Sequence, residues 1–200
     1  MNLNDTEALA MVRLGHEAGH LKQARRTGWW RAGIRDPESV AEHSWRTAVL
    51  GYLIACAEGA DPDRTAAICV FHDLAETRTG DIEYVAKHYV TAADDLAISK
   101  DQLRDLPAAA ADGILGLVEQ AVSRGASPEA ACAHDADKLE CLLQAREYEL
   151  RGYQDAQTWA QAMADAVRTK TGRALAASAL QADPGEWWRE ANASWARNGH

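Results

Sequence analysis

Apolar residues recur along this chain at intervals of three and four, the spacing that places side chains on one face of an α-helix. No stretch alternates apolar and polar residues with β-branched enrichment, as a half-buried strand would. The pattern therefore predicts an all-α fold. Helices are expected at about residues 5–26, 91–104, 108–124, 155–170 and 185–197, in addition to those that prolines mark.

Most prolines in the chain follow a residue that commonly caps the N-terminus of a helix. Each such pair predicts a helix start: Asp36-Pro37, Asp61-Pro62, Ser127-Pro128 and Asp183-Pro184. The first three helices are expected to stop near glycines: Gly59, Gly80 and Gly152. The segment from Pro62 to Gly80 is apolar on most faces, which predicts one continuous helix at the centre of the fold.

The 200 residues are 47% hydrophobic and 26% charged, a composition typical of a globular domain. The sequence shows no internal repeat and no linker rich in serine or glycine, so a single domain is predicted over residues 1–200. No apolar run approaches the roughly 18 residues of a membrane span, and the acidic N-terminus is unlike a signal peptide. We therefore expect a cytoplasmic protein with no membrane partner.

The formal net charge of -9 disfavours a nucleic acid polymer as a partner, because its phosphate backbone would be repelled. The cysteines lie in apolar helical contexts without a CxxC pair. We expect them to be small buried hydrophobic residues rather than disulfides or zinc ligands. They are Cys56, Cys69, Cys132 and Cys141.

Ionisable residues interrupt the apolar pattern at three places. His72 and Asp73 lie in the predicted central helix, where burial of two polar side chains is costly unless a metal ion binds them. Glu76 follows on the same predicted helical face. His43 and Asp137 occupy two other segments that are otherwise apolar. Two imidazoles and two carboxylates suit Mn²⁺, Fe²⁺, Co²⁺, Ni²⁺ or Zn²⁺ and leave positions open for water and substrate.

The order and spacing of these residues resemble the HD superfamily of metal-dependent phosphohydrolases. A closer likeness, over about residues 8–150, is to the HD-type 5'-deoxynucleotidases of bacteria and the related eukaryotic HD-domain-containing proteins. It rests on four runs: RTGWW (26–30), DPESVAEHSWRTAVL (36–50), FHDLAETRTGDI (71–82) and DADKLECLLQAREYE (135–149). The resemblance implies an HD-domain helical bundle with its metal-site core at about residues 8–150, followed by C-terminal helices at about 155–198.

The resemblance also implies roles for individual residues. One divalent ion, which could be Mn, Co, Zn, Fe, Ni or Mg, would be bound by four ligands: His43, His72, Asp73 and Asp137. Glu76 would position or activate the attacking water. Asp81 would lie beside the sugar as a catalytic and substrate-binding residue that disfavours a 2'-hydroxyl, and Trp29 would contact the nucleoside. The arginine that binds the phosphate stays open among three candidates: Arg26, which matches the R-x-G-W form of the eukaryotic branch, Arg31 and Arg35.

The implied activity is removal of the 5'-phosphate from nucleoside 5'-monophosphates, chiefly 2'-deoxynucleotides, by a homodimer. One alternative is an HD phosphohydrolase that acts on a nucleoside triphosphate or on a pathway-specific nucleotide. Another is an HD-fold oxygenase with two irons, which needs a second ligand set for which the sequence offers only Glu76, Asp81 and His134. A non-catalytic scaffold would have lost ligands, whereas all four candidates are present.

Overall fold

The computed structural model describes residues 3–197, and within them the fold is all-α, as predicted. Three short 3₁₀ turns join the longer helices at His20–Lys22, Thr27–Ala32 and Ala86–His88. The α-helices are α1 (Asp5–Gly19), α2 (Val40–Glu58), α3 (Pro62–Phe71), α4 (Glu76–Thr79), α5 (Asp95–Leu103), α6 (Ala108–Ser123), α7 (Pro128–Leu150), α8 (Ala156–Ala166), α9 (Lys170–Gln181) and α10 (Glu186–Arg197). The prediction of one domain over residues 1–200 includes residues 1–2 and 198–200, which lie outside the described residues.

Two of the four proline pairs start helices where the sequence predicts. Asp61 caps α3 by accepting a hydrogen bond from the backbone N–H of Arg64. Ser127 caps α7 in the same way, with Ala130 as the donor. Proline follows the cap in both helices, where its missing N–H costs nothing because that position has no partner within the helix.

The other two pairs lie too early in the chain. α2 begins at Val40, because Ser39 and Glu42 form a capping box in which each side chain accepts the backbone N–H of the other. α10 begins at Glu186, and Asp183 instead accepts a backbone hydrogen bond in the turn that precedes it. The starts that the two prolines mark are therefore early by a few residues, although α10 itself agrees with the helix expected at about 185–197.

The single helix predicted from Pro62 to Gly80 is broken in the structure. α3 ends at Phe71, residues 72–75 form a tight turn, and α4 is a single short helix after it. Nδ1 of His72 lies 2.6 Å from the carbonyl oxygen of Cys69, which in a continuing helix would accept the backbone N–H of the residue that follows His72. The prediction of one continuous helix is therefore wrong. The helix ends because the imidazole of His72 occupies the Cys69 carbonyl oxygen that the next backbone N–H would need.

The sequence pattern misses α9. No proline marks its start, and Gly172 lies in its first turn. Thr169 caps the helix by accepting the backbone N–H of Gly172, and Asp135 on α7 accepts the backbone N–H groups of Arg168 and Thr169. The helix start is thus stabilised by a carboxylate from a distant part of the chain, which a local pattern does not reveal.

α7 lies between two apolar clusters, and α2, α3, α8 and α9 all pack against it. In the first cluster Leu139 of α7 packs with Ile54 of α2 and Ile68 of α3. In the second, Tyr148 of α7 packs with Trp29 and with α8. The face of α7 between the two clusters is therefore largely buried, although it carries polar side chains such as Glu140 and Gln144.

Three cysteines are buried, as predicted, whereas Cys56 is exposed and that prediction is wrong. Cys56 lies on the outward face of α2 with the exposed Tyr52 and Leu53, away from the buried Ile54. All four thiols are free. Within residues 3–197, each helix falls short of the length or the hydropathy that a membrane crossing requires.

Gly51 of α2 lies at a close approach to α3 and α7, where a Cβ would meet atoms of both helices. A Cβ at this position would lie 2.7 Å from Sγ of Cys69 and 3.3 Å from Cγ2 of Thr65, both on α3. Alanine normally favours a helix over glycine by about 0.8–1.0 kcal/mol, but overpacking a buried contact costs about 1–3 kcal/mol. The crowding therefore outweighs the helical preference.

We predict that Gly51→Ala lowers the free energy of unfolding by about 1–2 kcal/mol, measured by chemical denaturation of the metal-stripped chain. The matched control is Gly113→Ala on α6, where a Cβ meets no atom within 4 Å among the described residues. That variant is expected to gain about 0.5–1 kcal/mol. Equal stabilisation by both substitutions would contradict the close approach at Gly51.

Candidate metal centre and active site

Two imidazole rings face each other at the centre of the molecule. His43 comes from the buried face of α2, and His72 comes from the turn after α3. Their Nε2 atoms lie 3.3 Å apart. Nδ1 of His43 lies 2.5 Å from Oε2 of Glu140, and Nδ1 of His72 lies 2.6 Å from the carbonyl oxygen of Cys69. Because each Nδ1 has its own acceptor, both rings turn Nε2 toward the same point.

The two aspartates predicted as ligands lie at the same point. Oδ2 of Asp73 is 3.1 Å from Nε2 of His72 and 3.7 Å from Nε2 of His43. Oδ1 of Asp137, on α7, is 3.3 Å from Nε2 of His43. The structure thus brings together all four predicted metal-ligating side chains, from α2, α7 and the turn after α3.

This donor set fits a divalent cation. Oδ2 of Asp73 is buried and has no hydrogen-bond partner within residues 3–197. Donor atoms of His43, His72 and Asp73 all lie within 4.8 Å of one another, close enough to share one ion. A mixed set of two nitrogens and two oxygens suits Zn²⁺ and its first-row neighbours.

The electrostatics of the protein alone show what a cation would balance. Burial and the guanidinium of Arg26 oppose protonation of His43, but Glu140 and Asp137 outweigh them and raise the pKa of His43 to about 10. Burial works against the charged form of Asp73, yet His72 and Arg26 hold the pKa of Asp73 below its usual range. A proton on His43 thus offsets part of the carboxylate charge, and a metal ion would displace it.

Glu76 begins α4 at the edge of this centre. Its Oε2 is buried without a hydrogen-bond partner among the described residues. Burial, together with the carboxylates of Asp73 and Asp81, raises the pKa of Glu76 to about 9. The protein's own groups thus disfavour the ionised form of Glu76. An adjacent cation would reverse that balance, so ionisation of Glu76 depends on the metal.

Arg26 and Asp81 lie next to the metal-ligating side chains. An Nη atom of Arg26 is 3.7 Å from Oδ2 of Asp73 and 4.0 Å from Oδ1 of Asp81. Oδ2 of Asp81 accepts a hydrogen bond from the backbone N–H of Thr27 at 2.5 Å, and the Thr27 hydroxyl donates to the Asp81 carbonyl oxygen at 2.7 Å. The segment that carries Arg26 is thereby tied to the Gly80-Asp81 turn.

Of the three arginines left open by the sequence, Arg26 lines the cavity above the metal centre. Arg31 is instead exposed and pairs with Glu83 at 2.7 Å. Arg35 is exposed as well and is not among the residues of the cavity wall. Tertiary structure therefore distinguishes the three where the local pattern does not.

The cavity has a volume of about 740 Å³, enough for a nucleotide-sized ligand. Trp29 lines it but is buried, and its indole N–H donates to Oε1 of Glu38 at 3.0 Å. Trp159 of α8 packs against Trp29 with 5.7 Å between ring centroids, and against Tyr84 with 6.3 Å. Both Tyr84 and Trp159 line the cavity as well. Sequence reasoning finds no site beyond about residue 155, because an aromatic residue on an apolar helix face is indistinguishable from core.

Two further side chains of α7, Lys138 and His134, also line the cavity, and the sequence pattern does not single out Lys138. Nζ of Lys138 lies 2.8 Å from Oδ2 of Asp137, one residue away on α7. His134 lies one turn earlier on α7, with Nδ1 3.1 Å from Oδ1 of Asp135. The spacing of three residues places His134 on the same side of the helix as Asp137. No such spacing marks Lys138, which is adjacent to Asp137.

A second layer of polar residues supports His43. The buried Glu140 also contacts Arg46, which reaches Gln144 and Glu147 further along α7. These α7 residues form the D-x-x-E-x-x-x-Q-x-x-E pattern that starts at Asp137. Glu38, His43 and Glu140 form a further group with donor atoms within 4.8 Å, but that group shares His43 with the first and its Glu140 already accepts hydrogen bonds from Arg46.

Comparison with known proteins agrees with this arrangement. The HD domain family matches residues 18–178. The 5'-deoxynucleotidase HDDC2 of Danio rerio is 33% identical over 135 residues, which are 66% of this chain and 66% of that protein. The 5'-deoxynucleotidase hdd1 of Schizosaccharomyces pombe is 32% identical over 154 residues, covering 74% of this chain and 76% of that protein.

Solved structures share the fold. A conserved hypothetical protein from Pyrococcus furiosus superimposes with a TM-score of 0.68 at 28% identity, over 85% of this chain and 97% of that one. A protein from Pyrococcus horikoshii OT3 gives a TM-score of 0.70 at 26% identity, over 86% of this chain and 97% of that one. With a family match across most of its length and a helical fold that gathers two histidines and two aspartates at one point, this chain belongs to the HD domain family.

Proposed function

We propose that this chain is a metal-dependent phosphomonoesterase that removes the 5'-phosphate from nucleoside 5'-monophosphates, with 2'-deoxynucleotides as the preferred substrates. The observation that carries the proposal is the convergence of two imidazole nitrogens and two carboxylates at one point of a nucleotide-sized cavity, with Arg26 beside them. The names of the curated relatives supply the substrate class.

The proposed metal ligands are Nε2 of His43 and His72 and one oxygen each of Asp73 and Asp137. A divalent ion bound there supplies Lewis acidity, which neutralises phosphate charge and makes water nucleophilic near neutral pH. Three of these ligands are oriented by contacts at their other polar atom, which is Nδ1 of His43, Nδ1 of His72 and Oδ2 of Asp137. Their hydrogen-bond partners are Glu140, the Cys69 carbonyl and Lys138.

Glu76 is proposed to accept the proton of the attacking water. Its carboxylate is buried beside Asp73, and Oε2 has no other hydrogen-bond partner among the described residues. A proton acceptor needs a lone pair that no other donor occupies, and Oε2 of Glu76 provides one when the carboxyl is ionised. Glu76 begins α4, directly after the turn that carries His72 and Asp73, and lines the same cavity as these two residues.

Arg26 is proposed to bind the phosphate. Its guanidinium lies 3.7 Å from Asp73 and 4.0 Å from Asp81, distances longer than direct hydrogen bonds. Its N–H groups can therefore donate to an incoming phosphate while the two carboxylates hold the side chain in place. A planar guanidinium suits this role because it binds two phosphate oxygens at once.

Asp81 is proposed to lie beside C2' of the sugar. Thr27 fixes its carboxylate through the backbone hydrogen bond at 2.5 Å, so the side chain cannot turn aside without losing that bond. A ribose hydroxyl would have to fit against this fixed carboxylate, whereas a deoxyribose meets no such obstacle. Trp29 supports the same wall through its packing with Trp159.

We also propose that the chain forms a homodimer through the outward face of α2. Exposed apolar side chains follow one another there at helical spacing: Trp45, Val49, Tyr52 and Leu53, with exposed fractions of 69%, 44%, 43% and 56%. A contiguous exposed apolar stripe of this kind is typical of a protein interface. Burial in a dimer would also cover Cys56. Sedimentation of the metal-loaded chain distinguishes dimer from monomer.

The cytoplasmic location is likewise proposed. What supports it is that all four cysteines are free, the state expected in a reducing compartment.

Loss of a proposed metal ligand should abolish metal binding. We predict that His72→Ala and Asp137→Ala each reduce bound metal to a small fraction of the parent's and remove activity, because three remaining protein ligands bind the ion more weakly than four. Elemental analysis of purified protein measures the metal content. The matched control is His20→Ala, at an exposed histidine outside the cavity wall. Full metal occupancy in His72→Ala or Asp137→Ala would overturn the ligand assignment.

The role of Glu76 separates chemistry from metal binding. Glu76→Gln keeps the shape of the side chain and removes the proton acceptor, so we predict that kcat falls by roughly 10²–10⁴ while bound metal is unchanged. Glu119→Gln, at an exposed position of α6, serves as the control. Activity within a few-fold of the parent in Glu76→Gln would remove this residue from the mechanism.

The sugar preference tests Asp81. In the parent, kcat/KM for dAMP should exceed that for AMP by roughly ten- to 200-fold, the range that steric and hydrogen-bond mismatches of this size give. Asp81→Ala should narrow the ratio, chiefly by admitting the ribose form. Equal kcat/KM for the two nucleotides in the parent would contradict the proposed sugar contact.

The experiment that tests the whole proposal is phosphate release from a panel of ribo- and deoxynucleoside 5'-mono-, di- and triphosphates. The chain is first stripped of metal and then reconstituted with Mn²⁺, Co²⁺, Zn²⁺ or Mg²⁺. Orthophosphate release from deoxynucleoside monophosphates above all others supports the proposal. Preferential release of pyrophosphate or tripolyphosphate from triphosphates would favour the alternative phosphohydrolase instead.

A further inference from the structure

Arg46 of α2 contacts three side chains of α7, although it is not itself a proposed metal ligand. Its Nε and one Nη lie 2.9 Å and 2.7 Å from Oε1 of Glu140. The same Nη lies 2.9 Å from Oε1 of Gln144, and the other Nη lies 2.6 Å from Oε1 of Glu147. The guanidinium therefore uses all three of its nitrogens on three residues of one helix.

Helical spacing explains how these groups meet. His43 and Arg46 are three residues apart on α2, so they share a face one turn apart. Glu140, Gln144 and Glu147 are four and three residues apart on α7 and also share a face. Because α2 and α7 pack against each other, the two faces meet with Glu140 between the imidazole and the guanidinium.

Glu140 is fully buried and divides its two oxygens between these partners. Oε2 faces Nδ1 of His43, and Oε1 faces Arg46. A carboxylate held at one oxygen can rotate about its last bond. With Oε1 held by Arg46 and Oε2 held at His43, each oxygen of Glu140 has its own partner, and rotation of the carboxylate would break both contacts.

When a cation displaces one proton of His43, the orientation of Glu140 decides which nitrogen keeps the other. While Oε2 accepts from Nδ1, the lone pair of Nε2 is available to a cation. If Glu140 turned, Nδ1 would lose its acceptor, and a proton on Nε2 would compete with the metal. Arg46 thus affects the metal site indirectly, through Glu140 and then His43, and does not itself contact the metal position.

We propose that Arg46 is a positioning residue of the metal centre, which fixes Glu140 so that His43 presents Nε2 to the cation. The inference rests on the proposed metal site. It gives a reason for the D-x-x-E-x-x-x-Q-x-x-E pattern of α7: Asp137 faces the ion, and the other three residues hold Arg46.

The test measures the affinity of the metal-stripped chain for Co²⁺, by competition with a chelator and by the visible absorption of the bound ion. Three variants are compared with the parent: Arg46→Met, Arg46→Lys and Arg64→Met. Arg64 is the matched control, because it is exposed and joins α3 to Gln120 of α6 at 3.2 Å, away from the cavity. Thermal unfolding of each stripped protein separates loss of affinity from loss of fold.

We expect Arg46→Met to bind Co²⁺ about 10- to 100-fold more weakly than the parent, the usual effect of removing a residue that orients a ligand. Arg46→Lys keeps the charge but offers one point donor, so its affinity should fall between those of Arg46→Met and the parent. Arg64→Met should bind as the parent does. If Arg46→Met does not fold, Arg46→Lys carries the test.

A purely structural role of Arg46 would lower the unfolding temperature without changing the His43 tautomer. Imidazole ¹⁵N chemical shifts of the Zn²⁺-loaded proteins report which nitrogen of His43 carries its proton, and we expect the Nδ1 resonance of His43 to shift from its parental position in the Arg46 variants. A folded Arg46 variant with parental Co²⁺ affinity and parental ¹⁵N shifts would overturn the inference while leaving the metal site intact. A parent that binds no Co²⁺ would overturn both.

Discussion

Two imidazole nitrogens and two carboxylates point at one buried spot, and this arrangement constrains the rest of the molecule. Donor lone pairs and negative charge that are close together in a buried position repel one another unless a cation lies among them. Nε2 of His43 and Nε2 of His72 are only 3.3 Å apart, and Oδ2 of Asp73 beside them has no hydrogen-bond partner within residues 3–197. The contacts that hold these groups together therefore have to be strong, and they come from three separate parts of the chain.

The helices supply those contacts in a way that ties local structure to chemistry. His72 ends α3 by turning Nδ1 onto the Cys69 carbonyl, and the same contact aims its Nε2 at the metal position. α7 places Asp137 at that position and Glu140 one turn later, behind His43. The Asp81 turn is tied to Thr27, which sets Arg26 next to the ligands. Each of these contacts is made to a backbone group or to a neighbouring helix, so the side of the metal position that faces the cavity stays open to substrate.

The sequence predicts those parts of the fold that short-range physics determines. Caps followed by proline locate the starts of α3 and α7, and the ordered set of two histidines and two aspartates identifies the residues that converge. It fails where a distant group decides the outcome. Asp135 stabilises the start of α9 from another helix, and the choice among three arginines depends on which one faces the cavity. The break at His72 is local, but periodicity does not distinguish an imidazole that ends a helix from one that continues it.

The most direct measurement of the central claim is anomalous diffraction from crystals of the chain loaded with Mn²⁺. We predict one anomalous peak at bonding distance, about 2 Å, from Nε2 of His43 and His72 and from carboxylate oxygens of Asp73 and Asp137. We further predict that Arg26 and Glu76 face the ion without binding it. A peak bound by other residues, or the absence of any peak in crystals that contain Mn²⁺, would contradict the account.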